Sequence, residues 1–413
     1  MGRRYDLAVF GATGFTGRQA ARYLAAHPER ESYRFALAAR SQEKLEALVA
    51  ELTGDGLSAD GVIVADALDG EAMDGLAAAA RVVLSTAGPF ARYGSELVRA
   101  CVEHRTDYVD ITGETPWVRE MIDRHHERAA RDGTRIVPCC GFDSIPSDLG
   151  ALYVAEALHR ETGARCSRVH AYHRGRGGIN GGTVASLVEM QRGGGARRMR
   201  DLFLLNPEDR RPRSQSGHGD PVAPFYSSEA KSWAAPFFMG PINTRVVRRS
   251  HALLQGTERG DLFADDFRYQ EYWKAKGPLG FAEAGAFAFG QGMAQLGSAL
   301  PGASRLIEAV AADPGEGPSE ATMDGGFFSC DLYAEGDPPP GAGAGRARRH
   351  SRLHGQGDPG NRITIKCLCE SALLLALERE QLPSSPGGGV LTPATALGLA
   401  LVPRLERAGI EFG

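Results

Sequence analysis

Lysine is scarce, cysteine is thinly spread, and no apolar run is dense enough to span a bilayer. The 413-residue chain has seven cysteines, at positions 101, 139, 140, 166, 330, 367 and 369. None forms a CxxC pair and none shares zinc-finger spacing with a histidine, so no metal site is expected. Seven cysteines in so long a chain make no disulfide framework either, which fits a reducing, cytoplasmic setting. Lysine occupies five positions, so nearly all basic charge is arginine. Acidic residues still exceed basic ones, 51 against 47, for a net charge of −4. No whole-chain field therefore favours nucleic acid. With 42% hydrophobic and 24% charged residues, the chain is neither disordered nor a membrane bundle. Gly280–Ala303 is the most apolar stretch, but Glu283 and six glycines interrupt it. A core helix with loops is the simpler reading, with peripheral contact to a membrane or an acyl chain as the alternative. The opening MGRRYDLAVFGATG has too short an apolar run for a signal peptide, and Asp6 breaks the myristoylation pattern.

What is present is regular alternation. Short apolar runs predict buried strands at Leu7–Phe10, Phe35–Ala39, Val62–Ala65, Val82–Ser85, Tyr108–Ile111 and Arg135–Pro138. Segments of helical period lie between them, near 15–26, 42–52, 70–80, 93–104 and 116–131. Six such strands predict an α/β fold: a Rossmann doubly wound parallel sheet with helices on both faces. After Pro138 the alternation stops. A helix is expected over Ser147–His159, with Ser147 or Asp148 as its cap and Leu149, Leu152, Ala155 and Leu158 on one face. Beyond it the chain reads as a second, α+β substrate domain. The expected division is 1–145, 146–385 and 386–413, the last being a helix that packs back near the first domain. GDPPPGAGAG (336–345) reads as a loop between antiparallel strands. Asp358-Pro359 and Thr392-Pro393 read as helix starts. The first helix is expected to run to about Arg379, and the second to carry Leu397, Leu401 and Leu405.

The strongest motif is Gly11-Ala12-Thr13-Gly14-Phe15-Thr16-Gly17, which follows a strand and opens a helix. Glycines permit a tight turn and close approach of a pyrophosphate to free N–H groups at the helix start. The second strand ends in Arg40-Ser41 rather than an acid. Arg40 can pair a 2′-phosphate bidentately and Ser41 can add a hydroxyl, which points to NADP(H). Were Arg40 an ordinary surface residue, NAD would be the cofactor. Asp66, past the third strand, is placed for the adenine edge. Thr86-Ala87-Gly88-Pro89, past the fourth, would lie along the cofactor toward the nicotinamide.

GATGFTG, AARS, STAGPF-RYG, YVDITGE and CGFDSIPSDLG together resemble the saccharopine dehydrogenase-like NADP-binding family, and most of all its trans-acting enoyl reductase branch. The likeness continues through GGT (181–183), GDPG (357–360) and GGVLTPATALG (388–398). Asn180, Asn361 and Leu391 depart from the pattern. The resemblance implies a Rossmann domain joined to an α+β substrate domain. It also implies reduction of an enoyl intermediate on a chain carried by a polyketide synthase, in lipid synthesis. Its name-giving relatives instead reduce an imine formed from an amino acid.

Reduction of a conjugated double bond needs a hydride, a proton donor and a polarised carbonyl. Tyr93 is one candidate donor; a packing role at a helix start is the alternative. Asp110 and Glu114 follow the fifth strand, and Asp143 and Ser144 the sixth. All four sit on the ligand-facing edge, where caps or a hinge compete with catalysis or substrate binding. Gly182 and Thr183 open a helix that could receive a carboxylate, a thioester oxygen or a carrier phosphate. Arginines at 192, 197, 198, 200, 210, 211 and 213 could dock an acidic carrier, though a solvated loop explains them too. Tyr272 and Lys276 form YxxxK, the pair of short-chain dehydrogenases, but lie well past the six-strand unit and are set aside. Three readings remain. The first is an NADPH-dependent enoyl reductase acting on small-molecule or carrier-bound acyl chains. The second is a saccharopine-type imine reductase, and the third a non-catalytic NADP-bound scaffold. A homodimer is compatible with all three.

Overall fold

A computed structural model of the chain describes residues 2–178, 195–277, 279–286, 288–289, 317–337 and 345–413. Two seven-stranded sheets organise it. The first is wholly parallel, in the order β13-β6-β5-β4-β1-β2-β3. Its strands are β1 (Tyr5–Phe10), β2 (Phe35–Ala39), β3 (Gly61–Val64), β4 (Ala80–Ser85), β5 (Asp107–Asp110), β6 (Arg135–Val137) and β13 (Gly389–Val390). The period-2 geometry of strands splits them between two cores. Leu7, Val9, Leu37, Val82 and Leu84 join the helices α1 (Phe15–Ala25) and α2 (Gln42–Gly54) on one face. Ala8, Phe10, Ala36, Ala38 and Val83 join α3 (Gly70–Ala79), α5 (Ser95–His104) and α6 (Thr115–Asp132) on the other. A one-turn helix, α4 (Phe90–Tyr93), precedes α5. The α/β Rossmann expectation therefore holds. The edge strand β3 leaves Val62 and Val64 exposed.

The helix α7 (Ile145–Thr162) carries the chain from the first sheet to the second, which is mixed and ordered β14-β12-β11-β7-β10-β9-β8. Its long strands are β7 (Arg165–Arg176), β10 (Phe263–Lys274), β11 (Phe327–Asp337) and β12 (Ala347–Gln356). The short ones are β8 (Phe225–Ser227), β9 (Ser232–Pro236) and β14 (Ile410–Phe412). Leu149, Leu152, Ala155 and Leu158 of α7 are buried against Val169, Ala171, Leu332 and Leu353 of this sheet. Gly150 lets Leu332 come close, since a Cβ there would lie 2.9 Å from Leu332 Cδ1. β11 and β12 are antiparallel, as the 336–345 loop predicts.

Two expectations need correction. Neither Ser147 nor Asp148 caps α7: Ser144 holds the cap position without a side-chain bond to the helix start. Asp148 instead accepts hydrogen bonds from Ser250 Oγ and from Ala394 N at 2.8 Å, tying α7 to the Thr392-Pro393 turn. The helix expected from Thr392 is also broken. A capping box of Thr392 and Thr395 starts Pro393–Ala396, but Gly398 adopts a left-handed φ of +59°. The chain continues as a 3-10 turn and then a short helix, Val402–Arg407. Leu397, Leu401 and Leu405 are nevertheless all buried. Asp358 does cap its helix start, accepting from Arg362 N at 3.0 Å, ahead of α9 (Thr364–Leu377). α9 packs on α1, β1, β4 and β5. Near the C-terminus Arg404, 1% exposed, bonds Glu370 at 2.8 Å and Glu29 at 2.9 Å. No helix among the described residues is long and apolar enough to cross a membrane.

Candidate functional site

The turn between β1 and α1 is built for close backbone packing. Gly11 takes a φ of +80°, and a Cβ there would lie 2.9 Å from Ala87 N. A Cβ on Gly17 would lie 2.1 Å from Gly11 O. These two glycines hold the loop against β4 and against itself. Gly14 differs: its φ of −77° suits any residue, and a Cβ would meet only Gly11 O at 3.4 Å. It stands exposed at the N-cap of α1 with no side-chain cap bond. An uncapped helix start with a glycine facing solvent suits a pyrophosphate. Thr13, Phe15 and Thr16 are partly exposed around it, while Ala12 is buried.

The end of β4 lies beside this loop. Thr86 Oγ1 donates to Phe10 O at 3.1 Å, and Thr86 N donates to the same oxygen. Ala87, Gly88 and Pro89 stay partly or fully exposed. Glu114 reaches under this turn from beyond β5. Its carboxylate accepts from Phe90 N and Ala91 N, both at 2.8 Å, and is 1% exposed. Expected as a substrate ligand, it acts instead as a cap that fixes the β4 turn and α4. Tyr93, at the end of α4, is partly exposed with the Arg92 guanidinium 5.2 Å from its ring centroid.

At the end of β2, Arg40 is exposed, and its side chain makes no hydrogen bond or ion pair among the described residues. It is available to a ligand phosphate. Ser41 caps α2, its Oγ accepting from Lys44 N at 3.3 Å, which leaves its O–H free to donate to a ligand. Asp66 is exposed and accepts from Leu68 N at 2.9 Å in a local turn.

The loop after β6 meets the second sheet. Asp110 is fully enclosed: Thr112 N, Cys139 N and the Tyr108 hydroxyl all donate to its carboxylate at 2.9–3.0 Å. Burial pushes it up to about 7. Expected as catalytic, it serves as a clamp that joins the loops after β5 and β6. Asp143 is different. Its side chain keeps part of its surface open and accepts no hydrogen bond from the described residues. Burial, then the nearby Glu271 carboxylate, push it up to about 6.

Behind Asp143 lies a buried polar network. Ser144 Oγ donates to Asn243 Oδ1 at 2.9 Å, and Asn243 Nδ2 donates to Glu271 Oε1 at 2.9 Å. Ser147 Oγ and Tyr269 Oη donate to Glu271 Oε2 at 2.7 and 2.9 Å. His173 Nε2 stands 3.5 Å from the same oxygen, and its ring stacks on Phe237 with centroids 4.4 Å apart. Burial alone would lower His173, but the Cys330 thiol and Glu271 raise it to about 10. Removing the Glu271 carboxylate alone would leave the Asn243, Ser147 and Tyr269 donors buried without their acceptor, at a cost of about 1–3 kcal/mol each.

Asn243 comes from α8 (Gly240–Leu254), whose start lies over the loop after β5: a Cβ on Gly113 would be 3.3 Å from Ile242 Cδ1. Asn243, Glu271, Tyr269 and His173 escaped sequence reading. The signal was the alternation of β10, where Phe267, Tyr269 and Glu271 share the buried face.

The other candidates separate. Tyr272 stacks on Tyr172 and donates to Gln270 Oε1, on the sheet face opposite Glu271. Arg198 donates to Pro116 O, Arg210 to Ala252 O, and Arg211 to Asp201. Arg197 and Arg200 stand at or just after the short helix Gly195–Arg198. Gly182, Thr183 and Arg192 lie outside the described residues.

The family model described as the saccharopine dehydrogenase NADP binding domain matches residues 7–137. A Mycobacterium tuberculosis protein, named provisionally as a trans-acting enoyl reductase, is 36% identical over 429 residues, 99% of this chain and 97% of its own. The trans-acting enoyl reductase of Mycobacterium bovis is 35% identical over 435 residues, covering 100% and 98%. That of Mycobacterium ulcerans is 34% identical over 428 residues, covering 99% and 97%. Among solved structures, apo saccharopine dehydrogenase (L-Glu forming) from Saccharomyces cerevisiae matches with a TM-score of 0.50 at 15% identity, covering 99% of both chains. That likeness is one of fold. Relatives of this identity span the whole chain, so it belongs to the trans-acting enoyl reductase family and is an NADP(H)-dependent oxidoreductase with a saccharopine dehydrogenase-type nucleotide domain.

Proposed function

We propose that this chain reduces a carbon–carbon double bond conjugated to a thioester carbonyl, with Asp143 as the proton donor. NADPH supplies the hydride when bound. The start of α1 at Gly14, held in shape by Gly11 and Gly17, would receive its pyrophosphate, Arg40 its 2′-phosphate, and Thr86 to Pro89 would flank its nicotinamide half. The observation that carries the reading is Asp143: a partly open carboxyl group, its proton affinity raised to about 6, at the carboxyl end of β6. A general acid works best when its pKa lies near the working pH. Asp143 holds the proton delivered to the α-carbon, and the Glu271 network keeps the loop around it rigid. Tyr93, past β4 on the carboxyl-end edge of the same sheet, is our candidate for hydrogen-bonding the carbonyl.

The names of the relatives support an acyl chain carried by a synthase as the substrate. The arginines of α8 argue against an amino-acid substrate. Arg245 pairs with Asp220 at 2.5 Å, Arg248 donates to Leu202 O, and Arg249 donates to Leu205 O and Val390 O. Each holds protein groups rather than facing the junction as a carboxylate clamp. The purified chain with NADPH is expected to consume cofactor on an α,β-unsaturated acyl thioester. It should leave a mixture of glutamate and an aldehyde untouched. Turnover of the imine mixture with an inert thioester would reverse this assignment.

A further inference from the structure

One face of α1 is gripped from the second domain. Phe15 and Gln19 stand four residues apart on that helix, so their side chains lie one above the other. Arg362 Nη1 donates to Gln19 Oε1 at 3.2 Å. Gly317 meets Phe15 so closely that a Cβ on it would lie 2.3 Å from the ring atoms Cε1 and Cζ. Any larger residue at 317 would displace the ring.

Both contacts come from one tightly tied unit. Pro318 packs on Gly178 past the end of β7, where a Cβ would lie 2.5 Å from Pro318 Cγ. Ser319 caps the short helix Glu320–Asp324, its Oγ accepting from Thr322 N at 3.3 Å. Met323 O accepts from Asp358 N at 2.7 Å, and Gly326 O from Gly357 N at 3.0 Å. Arg362 Nε donates to Asp324 Oδ1 at 2.8 Å. The 357–360 turn thus braces the 317–326 segment against α1.

Phe15 is the first residue of α1. A helix start leaves its first N–H groups without intrahelical partners. The N–H groups of Phe15, Thr16 and Gly17 donate no backbone bond among the described residues, whereas Arg18 N already reaches Gly14 O at 2.9 Å. Those three are the groups an anion at this helix start would meet. Holding the Phe15 ring restrains the backbone of the residue that leads them.

We propose that Phe15 is a positioning residue for NADP(H): its ring, held at Gly317, fixes the first turn of α1 with its free N–H groups toward the pyrophosphate. The second domain then sets how tightly the nucleotide is held, and a bound nucleotide favours the Phe15–Gly317 contact in return. The inference rests on the pyrophosphate lying at this helix start.

The test is a double-mutant cycle on the full chain with Gly317→Ala and Phe15→Leu, read by NADPH titration and by melting of the free protein. In Gly317→Ala the new Cβ displaces only the far end of a flexible side chain, so the free protein is expected to melt within about 2 °C of wild type. Its NADPH affinity should fall about fivefold or more, within the usual range of coupling between sites. In the Phe15→Leu background the shorter side chain leaves room for the Cβ, and Gly317→Ala should cost no further affinity. Wild-type NADPH affinity in Gly317→Ala, with or without a change in melting, would overturn the proposal. So would an equal loss in both backgrounds, because the effect would then not pass through Phe15. Gly14→Ala separates the two failures: if it loses NADPH binding while Gly317→Ala does not, the nucleotide site stands and the role of Phe15 falls. If Gly14→Ala binds NADPH normally, the placement of the pyrophosphate falls first.

Discussion

Asp143→Asn is expected to lower kcat for enoyl thioester reduction by about 10²–10⁴-fold, the usual contribution of a positioned general acid. The substitution keeps size and shape but removes the transferable proton. NADPH affinity should not change, because Asp143 is not part of the nucleotide loop. The pH profile gives the sharper readout. The folded carboxyl is raised to about 6, by burial and then by Glu271. Its acid form is present below that value and is lost as pH rises through it. Wild-type kcat should therefore fall toward alkaline pH, and the variant's slow residual rate should lose that dependence. A variant with wild-type kcat and an unchanged profile would move the proton donor to Tyr93, which Tyr93→Phe would then reveal.

Gly14→Ala and Gly17→Ala should separate ligand demand from fold demand. At Gly17 an added Cβ meets Gly11 O at 2.1 Å, and both partners are backbone. α1 must shift, and overpacking of this kind costs about 1–3 kcal/mol or more. That variant should lose both thermal stability and NADPH binding. At Gly14 the backbone already suits alanine, and the nearest contact is an ordinary 3.4 Å. The free protein should melt within about 2 °C of wild type, since unstrained exposed substitutions change little. NADPH binding should nonetheless fall at least tenfold, because the methyl group occupies the path of the pyrophosphate. Normal binding by Gly14→Ala would mean that the nucleotide does not lie on this helix start.

Much of the first sheet was legible in the chain. Parallel strands covered on both faces read as uninterrupted apolar runs, and each was followed by a helical period. β13 was not legible because it is two residues long, and its place beside β6 follows from packing alone. α8 was hidden for a different reason. Arg245, Arg248 and Arg249 occupy buried positions, so its hydrophobic period is broken, and only the carbonyls and the carboxylate they meet explain them. The glycine loop and Arg40 were readable because a nucleotide demands specific residues in sequence. The Glu271 network was not, since its members come from α7, α8, β7 and β10 and only the fold brings them together. For Asp110 and Glu114, sequence placed both on the carboxyl-end edge of the sheet but could not show that backbone N–H groups and, at Asp110, the Tyr108 hydroxyl already occupy their carboxylates.

In the proposed binding mode the NADP(H) 2′-phosphate is held by Arg40 beside the Gly11–Gly17 loop. The most direct measurement is a fluorescence titration with NADPH and NADH of wild type and Arg40→Ala. Wild type should prefer NADPH clearly. The variant should lose about tenfold or more in NADPH affinity with NADH affinity unchanged, in keeping with loss of a bidentate charge-assisted contact. Equal affinities of wild type for the two nucleotides, or an NADPH preference that survives in Arg40→Ala, would contradict the account.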